Sequence, residues 1–447
     1  MMKTIFITSF NPFISRNILE TDVLKELRKK KDLRIVIFVP DYKKDFFCRK
    51  FVSENIIIET IKTLSIDRQD IIFRFLTGFI INTKRLRIRH LELLDKNKKI
   101  VNFILSKFLI IFGYLPFVKK IIQRIDFKTI SKTKFESFFN NYKPDLVFST
   151  DIFHNDDVHF LAEAKRRKIK TIGMVRSWDN ITNKGLFRIK PDKLIVHNNA
   201  VKLEAIRYEN ILDNDIFVSG IPQFDYYFKD FIPSNRNDFF KRIGLDENKK
   251  TILVAPHGKR FHNTDWQLLD ILKKELPKEV QFIVRFPPND TIDLKNFESD
   301  SRFFIEKTGV EFPGKNFKDN EVEFSDTKSL TDDLYHSDLV INYGSTISID
   351  AVVFDKPVII VAFDGYEKLP YIRSVIRFLD YNHVISILKT GFCKIAKRKE
   401  DLIKYIHMYL SDSSADSIGR KILIEEQIYN TDGNSGKRIA NYINSLI

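Results

Sequence analysis

A chain of 447 residues with 43% hydrophobic content is too long for one ordinary domain and apolar enough to fill two cores. Its two cysteines, Cys48 and Cys393, exclude a disulfide framework and a cysteine-built metal cluster, and they fit a reducing cytoplasm. The formal net charge of +15 directs attention to anionic partners.

The first ten residues, MMKTIFITSF, carry one Lys and an apolar run too short for a leader, so residues 4–8 read as a buried strand. A helical pattern over 15–30 and a strand over 33–39 follow. Residues 41–141 read as a long helical and basic region. Within 83–134, fourteen Lys/Arg stand against three Asp/Glu, a local charge of +11. This window holds KRLRIRH and KNKK, then the apolar run VNFILSKFLIIFGYLPFVKKIIQRI over 101–125. A spanning helix needs about 20 apolar residues with few charges. Lys107, Gly113 and Pro116 interrupt the run and basic residues flank it, so it reads as an anchor lying on an anionic inner membrane surface. A buried core helix beside a solvated basic face is the plainer alternative. Nucleic acid is not expected as a partner, because no nucleic-acid motif accompanies the charge.

Strands over 146–150, 171–175, 194–196 and 216–218, with helices over 158–167 and from about 199, continue the first half. A polar, mixed-charge stretch over 225–250 with Pro233, Ser234, Asn235 and Gly244 marks a boundary. The second half shows strands over 251–255, 281–285 and 302–306, then a helix over 329–335. Residues 338–363, DLVINYGSTISIDAVVFDKPVIIVAF, read as strand, turn, helix and strand. Helical patterns over 401–410 and 418–429 precede the closing TDGNSGKRIANYINSLI. Alternating strands and helices indicate parallel sheets. The expected fold is α/β, with two Rossmann-like domains facing a central cleft and a C-terminal helix crossing back to the first. The expected domains are 1–228, with a basic amphipathic insertion over about 83–134, then 229–430, then the helix over 431–447.

In open parallel sheets, ligands bind outside the carboxyl ends of the strands. The polar residues that follow each strand therefore form the candidate site. In the first half these are Asn11 and Arg16, then Asp151 and His154, then Arg176, Trp178 and Asp179. They supply carboxylates, a His and a Trp, suited to a hydroxylated acceptor and a general base. Asp151 directly follows a buried strand and is the first choice of base, with a helix-capping role as the alternative. His154 orients substrate or caps the same helix. Asp179 is a second candidate base, with Trp178 stacking on a ring or simply packing. In the second half the set is His257, Lys259, Arg285, Ser345, Thr346 and Asp350, which offers cations and hydroxyls suited to a diphosphate. Ser345 and Thr346 open a helix whose N-terminus suits phosphate, and Asp350, one turn on, can accept from ribose hydroxyls. The alternative there is an ordinary Ser/Thr cap. The single D-x-D, Asp213-Asn214-Asp215, reads as a solvated turn.

On SGIPQFD (219–225), KRIGLDENKKTILVAPHGKR (241–260), VRFPPND (284–290), the YGSTISIDAVVFDKPVII run and DGNSGKRI (432–439), the chain resembles GT-B-type glycosyltransferases of bacterial surface-polysaccharide assembly. It is similar also to the CDP-glycerol glycerophosphotransferases and the UDP-N-acetylglucosamine 2-epimerases. The resemblance implies a donor nucleotide on the second domain, with Ser345 and Thr346 on phosphate and Asp350 on ribose. It implies that His257, Lys259 and Arg285 balance phosphate charge in place of a metal, so that neither metal nor other cofactor is expected. The chain departs from the glycerophosphotransferases in reading Arg285-Phe286-Pro287-Pro288 where they carry His-Pro or Lys-Pro-His. The expected activity is transfer of a sugar from a nucleotide-sugar donor to a glycan or glycolipid acceptor, on the inner face of the plasma membrane. The alternatives are transfer of glycerol or ribitol phosphate from a CDP-alditol, and a basic scaffold for membrane or nucleic acid with a degenerate site.

Overall fold

The computed structural model describes residues 2–447 except 63–65, 96–98, 132–133, 260 and 262–263. Most of the KNKK run therefore lies outside the described residues. The chain forms two compact units, one made of Met1–Asp225 with Ile428–Ile447 and the other of Tyr226–Gln427.

The first unit holds a seven-stranded parallel sheet. Its strands are β1 (Lys3–Thr8), β2 (Leu33–Pro40), β3 (Ile56–Ile61), β4 (Leu146–Ser149), β5 (Lys170–Met174), β6 (Lys193–Val196) and β7 (Ile216–Val218), in the order 3-2-1-4-5-6-7. β1 pairs with β2 from Lys3↔Leu33 and with β4 from Ile5↔Leu146. The central strands are buried on both faces, which is why they read as continuous apolar runs. Phenylalanines fill one side of this sheet: Phe6, Phe38, Phe139 and Phe160 belong to one cluster, and the Phe6 and Phe38 rings meet edge-on with centroids 4.7 Å apart.

The region over 41–141 is mostly helical but contains β3, one of the sheet's two edge strands. The apolar run over 101–125 is not one helix. It divides into Ile100–Phe112 and Pro116–Thr129, with Gly113 ending the first and Pro116 opening the second. The last helix, Ser435–Leu446, belongs to the first unit. Asp225 caps it, accepting from the backbone N–H of Ser435 (2.9 Å) and Gly436 (2.7 Å). Tyr442 stacks on Phe217 of β7 with centroids 4.2 Å apart.

The second unit holds a six-stranded parallel sheet of β8 (Lys250–Val254), β9 (Val280–Arg285), β10 (Phe303–Glu306), β11 (Leu339–Asn342), β12 (Val358–Val361) and β13 (Cys393–Ala396), in the order 10-9-8-11-12-13. Both units are thus Rossmann-like, in the sense that strand order reverses once within each sheet.

Candidate active site

In the first unit the order reverses between β1 and β4. The loops after these strands meet at that point. Asn11 Nδ2 donates to Asp151 Oδ2 (3.0 Å), and Asn11 Oδ1 accepts from the Phe13 N–H (3.2 Å). Arg176, beyond the end of β5, donates through Nε to the same Asp151 oxygen (3.1 Å), and Lys184 Nζ lies 3.5 Å from Oδ1. The guanidinium carbons of Arg16 and Arg176 sit 5.5 and 5.2 Å from the Phe13 ring centroid. Asn11, Arg16, Asp151 and Arg176 therefore come together, joined by Phe13 and Lys184, which nothing in the sequence had singled out. Burial acts to raise the Asp151 pKa, but Lys184 and Arg176, with His154, outweigh it and hold the carboxyl well below its usual range. A carboxylate held so low is a weak proton acceptor and a strong organiser of cations.

His154 precedes helix Asn155–Arg166 and stacks on Phe10, with centroids 5.8 Å apart and planes 22° apart. Its side chain keeps 31% exposure, while Nδ1 is buried and makes no hydrogen bond. Nδ1 lies 3.7 Å from Asp156 Oδ2 and 3.8 Å from Asp157 Oδ2. Burial, opposed by Asp151 and reinforced by Lys184 and Arg176, pushes the imidazole down to about 4, so the ring is neutral at pH 7.

Asp157 was not legible as a site residue, because it reads as an ordinary acid in the first turn of a helix. It is fully buried. Its Oδ1 accepts from the hydroxyls of Thr8 and Ser149 (2.8 Å for Ser149), and its Oδ2 makes no hydrogen bond. Burial pushes it up to about 8, helped by Asp151 and Asp156 and opposed by the two hydroxyls. Asp179 ties down its own helix, Asn180–Lys184, by accepting from Asn180 Nδ2 (3.0 Å) and Asn183 Nδ2 (2.7 Å). Trp178 is 8% exposed, so it offers little ring face to a ligand in this structure.

In the second unit the order reverses between β8 and β11. The loop after β8 carries His257 and Lys259, and the loop after β11 carries Ser345 and Thr346, so these two pairs flank one switch point. The loops touch: the His257 and Tyr343 ring centroids are 5.7 Å apart. Asp265 shapes the first loop by accepting from the N–H groups of His257 (3.1 Å) and Gly258 (2.9 Å). Lys259 is exposed and its ammonium forms no ion pair among the described residues.

Asn342, the last residue of β11, shapes the second loop. Its Oδ1 accepts from the N–H of Gly344 (2.7 Å) and Ser345 (3.1 Å) and from the Ser348 hydroxyl (3.0 Å). Gly344 takes a positive φ of 81° there, which a side chain would strain. Ser345 and Thr346 are left exposed ahead of helix Ile347–Val353. Asp350, one turn on, is buried and accepts from the Tyr227 hydroxyl (2.6 Å).

Arg285 stands apart from this set. It ends β9, but its guanidinium donates inward: Nη1 to Asp333 (2.7 Å), Ser329 (3.1 Å) and Glu306, and Nη2 to the Asp326 carbonyl (2.8 Å). Two carboxylates already balance its charge, so a donor phosphate could recruit it only by breaking those pairs. Asp213 and Asp215 of the D-x-D form a single helical turn and pair with Lys202 (2.8 Å) and Lys193 (2.7 Å).

Solved structures of this architecture come from several organisms. The S. aureus MnaA–UDP co-structure matches with a TM-score of 0.55 at 12% identity, over 100% of this chain and 98% of that one. The Neisseria meningitidis UDP-GlcNAc 2-epimerase bound to UDP-GlcNAc matches with a TM-score of 0.52 at 12% identity, over 99% and 100%. A glycosyltransferase from Rickettsia africae matches with a TM-score of 0.50 at 14% identity, over 99% and 98%. These likenesses establish the fold, a GT-B-type pair of Rossmann-like units. No curated protein sequence matches significantly. The family profile described as CDP-Glycerol:Poly(glycerophosphate) glycerophosphotransferase matches residues 175–445, well over half of the chain. The chain is thus a transferase and belongs to the CDP-glycerol:poly(glycerophosphate) glycerophosphotransferase family.

Proposed function

We propose that this transferase moves a sugar from a nucleotide-activated donor to a hydroxyl of a lipid-linked or growing glycan. The observation that carries the reading is the pairing of the Lys259 and Ser345–Thr346 loops at the switch point of the second sheet, where parallel α/β sheets take their ligands. Lys259 supplies an exposed cation and the second loop two exposed hydroxyls, a set suited to a diphosphate. The nucleotides named in the S. aureus and N. meningitidis structures support the same class of donor.

In this reading the acceptor hydroxyl loses its proton as its oxygen bonds to the sugar carbon, while the bond from that carbon to the nucleoside diphosphate breaks. His154 is the better proton acceptor, because its ring is neutral and partly exposed. Asp151 holds Arg176 and Lys184 in place beside it. Lys259 and the Ser345 and Thr346 hydroxyls stabilise the departing diphosphate.

The family membership favours a second reading, transfer of glycerol or ribitol phosphate from a CDP-alditol. Its chief obstacle is the loop after β9, which carries no His and whose Arg285 is paired inside the protein. Melting the protein with UDP, CDP, GDP, dTDP or CDP-glycerol distinguishes the two, since a ligand of the native state raises the midpoint. Turnover of a nucleotide sugar supports the first reading. Turnover of CDP-glycerol alone replaces it with the second.

A further inference from the structure

The helix Ile100–Phe112 reads IVNFILSKFLIIF, and Ser106 is its one buried residue. Between residues 100 and 125, twelve large apolar side chains are exposed, among them Phe108 (54%), Ile111 (63%), Tyr114 (68%) and Phe117 (58%). A contiguous apolar surface of this extent marks a binding face rather than ordinary surface scatter.

The two helices are nevertheless firmly seated from below. Ser106 bonds to His90, and Val118 and Ile122 pack on Ile80, Ile81, Leu86 and Leu186. Gln123 Nε2 donates to the Phe187 carbonyl (2.6 Å) and Lys119 Nζ to the Tyr208 carbonyl (3.1 Å). Gly113 lies so close to Ile80 that a Cβ would fall 1.6 Å from its carbonyl oxygen. The outward apolar face is therefore presented by a fixed scaffold.

Charge selects what covers it. Residues 99–128 carry Lys99, Lys107, Lys119, Lys120, Arg124 and Lys128, and their one acid, Asp126, is buried against Arg188 (2.7 Å). We propose that the helix pair lies in the interface of an anionic lipid bilayer, with its apolar side chains at the acyl boundary and its exposed cations, Lys99, Lys107, Lys120, Arg124 and Lys128, on the headgroups. A second copy of this chain would bring five exposed cations against five. Nucleic acid would leave phenylalanines and isoleucines against phosphate. No described helix is long and apolar enough to cross a membrane, so the pair lies in one leaflet. The proposal does not depend on the donor, and its test uses no substrate.

The test is flotation of the full chain with vesicles of phosphatidylcholine alone and of an equal mixture with phosphatidylglycerol. The chain is expected to float with the mixed vesicles, less so as salt rises, and weakly with the neutral ones. Phe108→Ser with Ile111→Ser lowers partition at least tenfold at low salt, and Lys120→Glu with Arg124→Glu removes the preference for the anionic lipid. These side chains are exposed, so melting midpoints should stay at the parent value, which separates lost binding from lost folding. Either of two results overturns the proposal: partition unchanged in both variants, or a parent chain that ignores vesicles and sediments as a dimer that Phe108→Ser with Ile111→Ser makes monomeric.

Discussion

Asn11 donates to Asp151 over 3.0 Å and so joins the loops after β1 and β4 across the point where the first sheet reverses its strand order. Asp151 is 1% exposed and also receives Arg176 and faces Lys184, which makes it the anion that assembles this corner.

Asp151→Ala leaves two cations without their counterion. Breaking a buried pair costs about 3–5 kcal/mol, and the partial exposure of Arg176 and Lys184 brings the expectation here to about 2 kcal/mol. His154→Ala removes no hydrogen bond and is expected to leave stability within about 1 kcal/mol, while lowering kcat by about 100- to 10,000-fold. Urea unfolding alongside steady-state turnover of the two variants checks both. Equal kcat losses with no stability difference would sink the division of roles.

Asp157 and Glu209 are fully buried, and burial pushes each up to about 8. Their folded pKa lies above the unfolded value near 4, so the unfolded chain releases these protons first as pH rises. Their contribution to stability is full below pH 4 and is lost progressively up to about pH 8. Stability should therefore fall between pH 5 and pH 8. Asp157→Asn with Glu209→Gln should flatten that slope. Denaturant midpoints measured at several pH values decide it, and a slope that is unchanged in the double variant contradicts it.

Arg188 binds Asp126 through Nε (2.7 Å) and Nη2 (2.8 Å) and Asp70 through Nη1 (2.8 Å), while His159 Nε2 also faces Asp70 at 3.1 Å. This buried cluster ties helices Arg68–Phe79 and Pro116–Thr129 to the segment before β6. Arg188→Leu leaves two buried carboxylates facing each other and should cost about 3–5 kcal/mol. Hydrogen exchange should show the largest loss of protection over residues 68–129. A uniform loss across the first unit would contradict the local role.

How far the sequence reveals this molecule depends on where each element sits. Strands buried on both faces, such as β1, β4, β8 and β11, read directly as apolar runs. Of the four edge strands, β7 and β10 were legible, while β3 and β13 were not, because Glu59, Thr60 and Lys394 face partly into water and interrupt the pattern. The loop residues Asn11, Asp151 and Arg176 were legible from their places after strands, but the partners that set their chemistry lie far along the chain. Arg285 illustrates the limit: its counterions Glu306 and Asp333 are 21 and 48 residues away. No local pattern separates such a structural arginine from one that faces a ligand.

The most direct measurement of the central claim is calorimetric titration of nucleoside diphosphates into the parent chain, Lys259→Ala, Ser345→Ala with Thr346→Ala, and Arg285→Met. The account predicts that one diphosphate binds the parent. It predicts at least tenfold weaker binding in the first two variants with unchanged melting midpoints, and a lowered midpoint for Arg285→Met. Parent-like affinity in both loop variants, or binding lost only when Arg285 is replaced without any drop in its melting midpoint, would contradict it.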